Sequence, residues 1–499
     1  MDKYLRLPSI NSPWKDRTLT FVVLTVQFMA MTTDTFLIPF FPPEAKGKGA
    51  SDTEIGIVFS AFEFSKVISA FIVGRLISQF SPRKCCLFGH ILATASCISF
   101  GLISYVPNQA YLPLCIIVRM IAGCGSACIV VCGMSILLKA TSYSNSTIIG
   151  LAQMIEGAGY SAGPAIGSGI YKLAGYGGMF WILGGFLAVL VIPMALVLPN
   201  IESEKQQEKK FHHLLVIPGI LVLLVHCTVG KIVASARTTG ISNFLIFTRA
   251  ESGLFYGIWS LAFMIGCPIA SFIATKGFTW SLMILAWCVS IFINLFTGPS
   301  PLLDFYISWK TKYKCYASYY LELPLSLIAI EFLFQSCMFV LPFQASLNLA
   351  EVNGHSKDSI QTYAAVSGTI NSVYALGNMI GPIMGGAITE NLNFPWMLTV
   401  MAFIEIVMMV TMVTYLLIMK ISQQPLKPSD HIEKEEKQDN FSERSKLITN
   451  KLEDCFNDAI KEGITSSNLL SCKYSSKRLE HSLKVLIIST VEGFVSSFY

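Results

Sequence analysis

Gly159-Tyr160-Ser161-Ala162-Gly163-Pro164-Ala165-Ile166-Gly167-Ser168 returns as Gly377-Asn378-Met379-Ile380-Gly381-Pro382-Ile383-Met384-Gly385-Gly386, and the reading of that repeat decides the fold. Each copy sits inside a long apolar segment. Small residues four apart let two membrane helices approach closely, and the proline removes a backbone donor and bends its helix. A single Gly-x-x-x-Gly reads most simply as a packing seam. Two copies at matching places point to an internal duplication. A bent, closely packed helix in each of two halves is expected where a two-bundle transporter moves. Gly159, Gly163, Pro164, Gly167, Gly377, Gly381, Pro382 and Gly385 are therefore the expected bends.

Around this repeat the chain is 53% hydrophobic and only 13% charged. A soluble protein carries about a quarter charged residues, so the composition is that of a polytopic membrane protein. Several apolar runs exceed the roughly 20 residues that cross a bilayer. The predicted spans are approximately 18–40, 53–79, 84–106, 111–139, 146–171 and 177–198, then 213–236, 252–275, 278–298, 319–345, 361–388 and 394–419. The predicted fold class is all-α, twelve transmembrane helices in two pseudo-symmetric six-helix bundles. In domain terms this gives an N-terminus over 1–17, a first bundle over 18–198, a polar linker over 199–212, a second bundle over 213–420 and a polar tail over 421–499.

Basic residues in short loops orient the chain. Lys3, Arg6, Lys15, Arg17, Arg83, Lys84, Lys139 and Lys276 all fall on one side, which is expected to be cytosolic, as are both termini. Lys310, Lys312 and Lys314 run against the trend. The sequons at Asn145 and Asn440 would face the cytosol and stay unmodified. The net charge of +5 is spread along the chain and suggests no nucleic-acid partner. Most of the 14 cysteines lie in apolar segments as packing residues, with no metal-ligand spacing. No nucleotide loop, dinucleotide fingerprint or hydrolytic constellation is present. The chain reads as a non-enzyme without cofactor or metal, working as a monomer in a lipid bilayer.

Charges within spans call for a reason, since each costs several kcal/mol on insertion scales. They are Asp34, Glu63, Lys66, Arg119, Glu156, Lys231, Glu331 and Glu405. Glu63 and Lys66, three apart, either neutralise each other or form a gating pair. Lys231 is either a counter-ion or a side chain snorkelling to the membrane edge. Phe62, Tyr160, Trp259, Phe332 and Tyr374 are placed for cation–π contacts.

Beyond these features the chain resembles the major facilitator superfamily. Gly74-Arg75-Leu76, Phe80 and Arg83-Lys84 resemble its loop motif between helices 2 and 3, although Ser78 and Ser81 replace the motif's acid and second glycine. Arg119-x-x-x-Gly123-x-Gly125 resembles its buried-arginine motif, and the Gly-Pro pattern resembles the one associated with antiporters. Within the superfamily the chain looks like the vesicular amine transporters. Gly381 to Ile388 with Phe394-Pro395-Trp396 resembles their helix 11 and the turn after it. Pro39-Phe40-Phe41-Pro42-x-Glu44-Ala45, Gly49-Ala50-Ser51 and Gly298-Pro299-x-Pro301 look most like the polyamine branch.

The resemblance implies exchange of lumenal protons for small organic cations, polyamines ahead of monoamines, in a vesicular or other endomembrane compartment. A plasma-membrane cation exporter and a non-transporting sensor are the alternatives. In this fold helices 1, 4, 7 and 10 line the cavity with 2, 5, 8 and 11 beside them, so Asp34, Glu156 and Glu331 are the expected substrate- and proton-binding carboxylates, facing it from both halves. Coupling needs such groups because taking a carboxylate out of water favours its protonated form. Monoamine members carry acids where this chain has Asn371 in helix 11, Cys337 in helix 10 and Ala30 in helix 1, and a lysine where it has Phe62. Asn371 is thus a substituted binding position.

Overall fold

The computed structural model describes residues 14–77, 80–201, 211–244, 249–297, 300, 302, 322–356 and 359–422. The linker charges at 202–210, the Gly298-Pro299-x-Pro301 pattern, the 310–314 lysines and the tail beyond 422 lie outside them. Every regular element among the described residues is helical. The first half holds α1 (Trp14–Thr35), α2 (Phe41–Gly47), α3 (Asp52–Leu76), α4 (Pro82–Ile103), α5 (Asn108–Ala140) and α6 (Asn145–Val197). After α7 (Phe211–Val216), the second half holds α8 (Pro218–Phe244), α9 (Arg249–Thr275), α10 (Thr279–Thr297), α11 (Glu322–Val352), α12 (Ile360–Leu392) and α13 (Phe394–Ile421). Among the described residues nine helices are long and apolar enough to cross a membrane.

Local chemistry sets the ends. Span 1 was expected to run to residue 40, but α1 stops at Thr35 and Pro42 and Pro43 open α2, where a missing N–H does no harm. α3 starts in a capping box: Ser51 Oγ accepts from the Glu54 N–H at 3.3 Å, and Glu54 Oε2 accepts from the Ser51 N–H at 2.8 Å. The predicted spans 5 and 6 are the two limbs of α6, broken only at Gly175, whose φ of 71° suits glycine. Span 7 was expected from 213; instead Pro218, which lacks an N–H, separates short α7 from α8, and α8 continues past residue 236 to Phe244.

The duplication is visible in the packing. A methyl group on Gly163 would meet the Thr32 carbonyl at 2.8 Å, and one on Gly381 would meet the Ile232 carbonyl at 2.6 Å. Thr35 Oγ1 approaches the Gly159 carbonyl at 3.4 Å, and Ser235 Oγ approaches the Gly377 carbonyl at 3.3 Å. In each half the Gly-Pro helix therefore seals against the first helix of its own half. This corrects the expectation that the repeat faces the moving interface. The glycines form a seam within each half, where the absence of a side chain lets the Gly-Pro helix lie against the backbone of the first helix.

The core is shared at one end and divided at the other. The largest cluster of buried side chains mixes both halves, with Leu137, Ile149, Cys267, Ala270, Leu349 and Tyr363 among its members. A second cluster, around Phe36, Phe41, Phe100 and Phe180, belongs to the first half alone. A third, around Val233, Phe332 and Met397, belongs to the second half alone. The halves are thus joined at the end where α3 finishes and α6 and α12 begin.

Candidate functional site

That join is held by backbone proximity and hydrogen bonds. Gly74 of α3 and Gly368 of α12 meet so closely that a methyl on Gly74 would lie 2.8 Å from the Ala364 carbonyl and 3.0 Å from Gly368 Cα. Hydrogen bonds that cross between the halves among the described residues include Ser146 Oγ to Gln344 Oε1 (3.0 Å), Asn145 Nδ2 to Tyr363 Oη (3.4 Å), Ser372 Oγ to the Val67 carbonyl (2.6 Å) and Asn378 Nδ2 to Glu63 Oε1 (3.5 Å). The last lies midway along both helices and is the deepest of the four.

At that depth the charged residues of the spans gather. Asp34 at the end of α1 accepts from Ser126 Oγ at 3.1 Å and shares a narrow cavity with Arg119, Ser96 and Phe180. It is within electrostatic reach of Lys66, Arg119 and Glu63. Glu63 is within reach of Lys66, Arg119 and Lys231. Glu156 accepts from Gln153 Nε2 at 3.2 Å and lies within reach of Lys66 and Lys231. Lys231 comes from the opposite half, so the cluster spans both halves. The three carboxylates and Lys231 are half-buried, while Lys66 and Arg119 are buried. Glu63 Oε2 and Glu156 Oε1 have no hydrogen-bond partner. Three acids face three bases, and two carboxylate oxygens remain bare.

Aromatic rings hold the cations. The Lys231 ammonium lies over Phe339 at 4.2 Å and Tyr374 at 5.3 Å. The Arg119 guanidinium lies over Phe62 at 4.2 Å, and Lys66 approaches the same ring at 5.7 Å. Lys231 thus sits among these rings, within electrostatic reach of Glu156 and Glu63. Of the other expected aromatics, Tyr160 is exposed and Trp259 stacks on Phe332 at 4.1 Å.

Two expected site residues fall elsewhere. Glu331 does not join the cluster but forms an ion pair with Arg237 inside the second half. Arg237 escaped sequence reading because span 7 was ended one residue before it. Asn371 spends its amide on its own helix, donating to the Ser367 carbonyl at 2.9 Å and to Ser367 Oγ at 3.3 Å. Residues not singled out beforehand include Ser126, Gln153, Asn378 and Phe339. Asn378 alone carried a signal, since it stands inside the repeated motif. In the loop motif Gly74 makes the inter-half contact, Arg83 donates to the Ala195 carbonyl, and Arg75 and Lys84 are exposed.

Known proteins share this architecture. The chain is 27% identical to the mouse MFS-type transporter SLC18B1 over 377 residues, covering 73% of this chain and 79% of that protein. It is 25% identical to the human SLC18B1 over 396 residues, covering 77% and 83%. The mouse synaptic vesicular amine transporter is 22% identical over 393 residues, covering 75% and 68%. These relatives bear out the resemblance to vesicular amine transporters and to the polyamine branch. Among solved structures, the human organic anion transporter MFSD10 (TETRAN) superposes with a TM-score of 0.60 at 15% identity, covering 80% of this chain and 99% of that one. FucP in its outward conformation superposes at 0.57 and 13% identity, covering 79% and 98%. The model of the Major Facilitator Superfamily matches residues 23–354. With a helical body sealed at one end, charges gathered at mid-depth and that match over most of its length, the chain belongs to the Major Facilitator Superfamily and is a multi-pass membrane transporter, not an enzyme.

Proposed function

We propose that this transporter exchanges protons for small organic cations, with polyamines preferred over monoamines. The carrying observation is the central cluster of Asp34, Glu63 and Glu156 against Lys66, Arg119 and Lys231. With all six groups ionised the cluster is neutral. In that state the carboxylates can take an ammonium, whereas each proton bound to a carboxylate adds a positive charge, repels the ammonium and has to leave before it binds. Each positive species therefore excludes the other, which is the requirement for exchange. The bare oxygens of Glu63 and Glu156 are the free acceptors for a proton or an ammonium. Three carboxylates spread through one site suit a ligand with several ammonium groups, and Phe62, Phe339 and Tyr374 add cation–π faces. The name of the vesicular amine transporter among the relatives supports an amine substrate.

In this reading the halves 18–198 and 213–420 rock about the cluster as a monomer. The sealed end is cytosolic, both termini lie on that side, and the cluster opens toward the lumen of an endomembrane compartment. The test is uptake of labelled spermidine, spermine and serotonin into proteoliposomes under an imposed inside-acid gradient. The expected result is gradient-dependent polyamine uptake that Glu156→Gln or Glu63→Gln abolishes. Absence of uptake from folded protein, or uptake indifferent to both changes, would overturn the proposal.

A further inference from the structure

A second group of ionisable residues lies apart from the cavity, wholly inside the second half. Glu331 (α11) and Glu405 (α13) are each 1% exposed and Arg237 (α8) is 2% exposed, so bulk solvent does not reach their charges. Arg237 Nη1 donates to Glu331 Oε1 and, at 3.2 Å, to Asn294 Oδ1. Asn294 Nδ2 donates to Glu405 Oε2 at 2.9 Å. Ser290 Oγ stands between the two acids, 2.6 Å from Glu405 Oε1 and 3.2 Å from Glu331 Oε1. Among the described residues, Arg237 and Glu331 are the charged groups that face Glu405. Its other polar neighbours, Ser290 and Asn294 of α10, are neutral.

The hydrogens do not add up if both acids are ionised. Four contacts reach carboxylate oxygens, from Arg237, from Asn294 and twice from Ser290. A serine hydroxyl has one hydrogen and cannot donate to both acids. Charge fails as well, since two anions would face one guanidinium in a site closed to bulk solvent. Glu331 Oε2 and Arg237 Nε both stand without a partner, so the shortfall lies at the single hydrogen of Ser290, which two acids approach. One added hydrogen resolves both counts. Placed on Glu405 Oε1, it donates to Ser290 Oγ across the short 2.6 Å contact, and Ser290 then donates onward to Glu331 Oε1.

We infer that Glu405, with Ser290 and Glu331, forms a proton-binding site in the second half, separate from the cavity cluster and occupied in this conformation. The proton keeps Glu331 available to Arg237 and so ties α8 to α11 through α10 and α13. Removing it would set a second buried anion competing for the one guanidinium.

Glutamine at 405 tests this directly, because its amide can donate to Ser290 and accept from Asn294 as the protonated acid does. The purified full chain should show, at neutral pH, the infrared carbonyl band of a protonated carboxylic acid, and Glu405→Gln should remove it from the difference spectrum. Glu405→Gln should also keep the melting temperature of the wild type, whereas Glu405→Ala and Glu331→Gln should melt several degrees lower. A spectrum unchanged by Glu405→Gln would overturn the inference. So would a Glu405→Gln protein that melts as low as Glu405→Ala, because an ionised Glu405 is what glutamine fails to replace. Neither readout uses transport, so the outcome is independent of the substrate and coupling proposed for the cavity.

Discussion

Two groups of buried charge sit in this molecule at similar depth, and they differ in access. In the central cluster, acids from α1, α3 and α6 meet Lys231 from α8, the carboxylates are half-buried, and two of their oxygens have no partner. In the second-half cluster, Arg237, Glu331, Ser290, Asn294 and Glu405 are nearly sealed and bonded to one another. Both pair carboxylates with bases. The difference shows that buried acids alone do not mark an exchange site. What marks it is a position between the halves, on carboxylates that are only half-buried. An acid enclosed by one half ties helices together.

The largest expected effect lies in the enclosed cluster. Arg237→Ala leaves Glu331 buried without its counter-charge and should destabilise the protein by about 3–5 kcal/mol, read as a lost or strongly lowered thermal transition. A transition unchanged from the wild type would break the comparison at once. The open cluster should behave in the opposite way. Glu63→Gln and Glu156→Gln should alter stability by less than ~1 kcal/mol yet lower gradient-driven polyamine uptake by at least about 10-fold, measured in proteoliposomes with matched thermal melts. Loss of folding in these variants, with Arg237→Ala tolerated, would invert the assignment.

A smaller effect is expected at the seal between the halves. Gly74→Ala or Gly368→Ala inserts a methyl where the backbones touch and should cost about 1–3 kcal/mol in the joined conformation. The readout is alkylation of Ser146→Cys in a cysteine-depleted chain, which should become several-fold faster; an unchanged rate would mean the contact is not part of the seal. The smallest effect is expected at Arg75, whose side chain is exposed: Arg75→Ala should stay within about 0.5 kcal/mol of the wild type in thermal melts.

How far the sequence could be read varies along the chain. The Gly-Pro repeat revealed the duplication, because glycine and proline spacing is a local signal. It could not say which neighbour each seam faces, and the structure turns both seams inward to α1 and α8. Asp34, Glu63, Lys66, Arg119, Glu156 and Lys231 were found as charges in apolar runs, and Lys66 is within electrostatic reach of all three acids, with Arg119 and Lys231 each near Glu63. Glu331 was found in the same way and assigned to the cavity. Its partner Arg237 lay one residue beyond the predicted end of span 7, so the ion pair that withdraws it was invisible. Pro39, Pro42 and Pro43 in turn place the end of α1 and the start of α2 more sharply than hydropathy did.

The sequence by itself determined the membrane class, the helical content, the twofold repeat and the inventory of charges that the bilayer would have to accommodate. These follow from composition and short-range spacing, since a backbone in lipid must satisfy its own hydrogen bonds and an apolar run must be long enough to cross. Only the tertiary structure decided which charges face each other, which oxygens stay open and at which end the halves are joined. Those outcomes depend on side chains from helices far apart in the chain meeting within a few ångströms: Asn378 reaches Glu63, and Ser290 bridges Glu331 and Glu405. No local pattern encodes such distances.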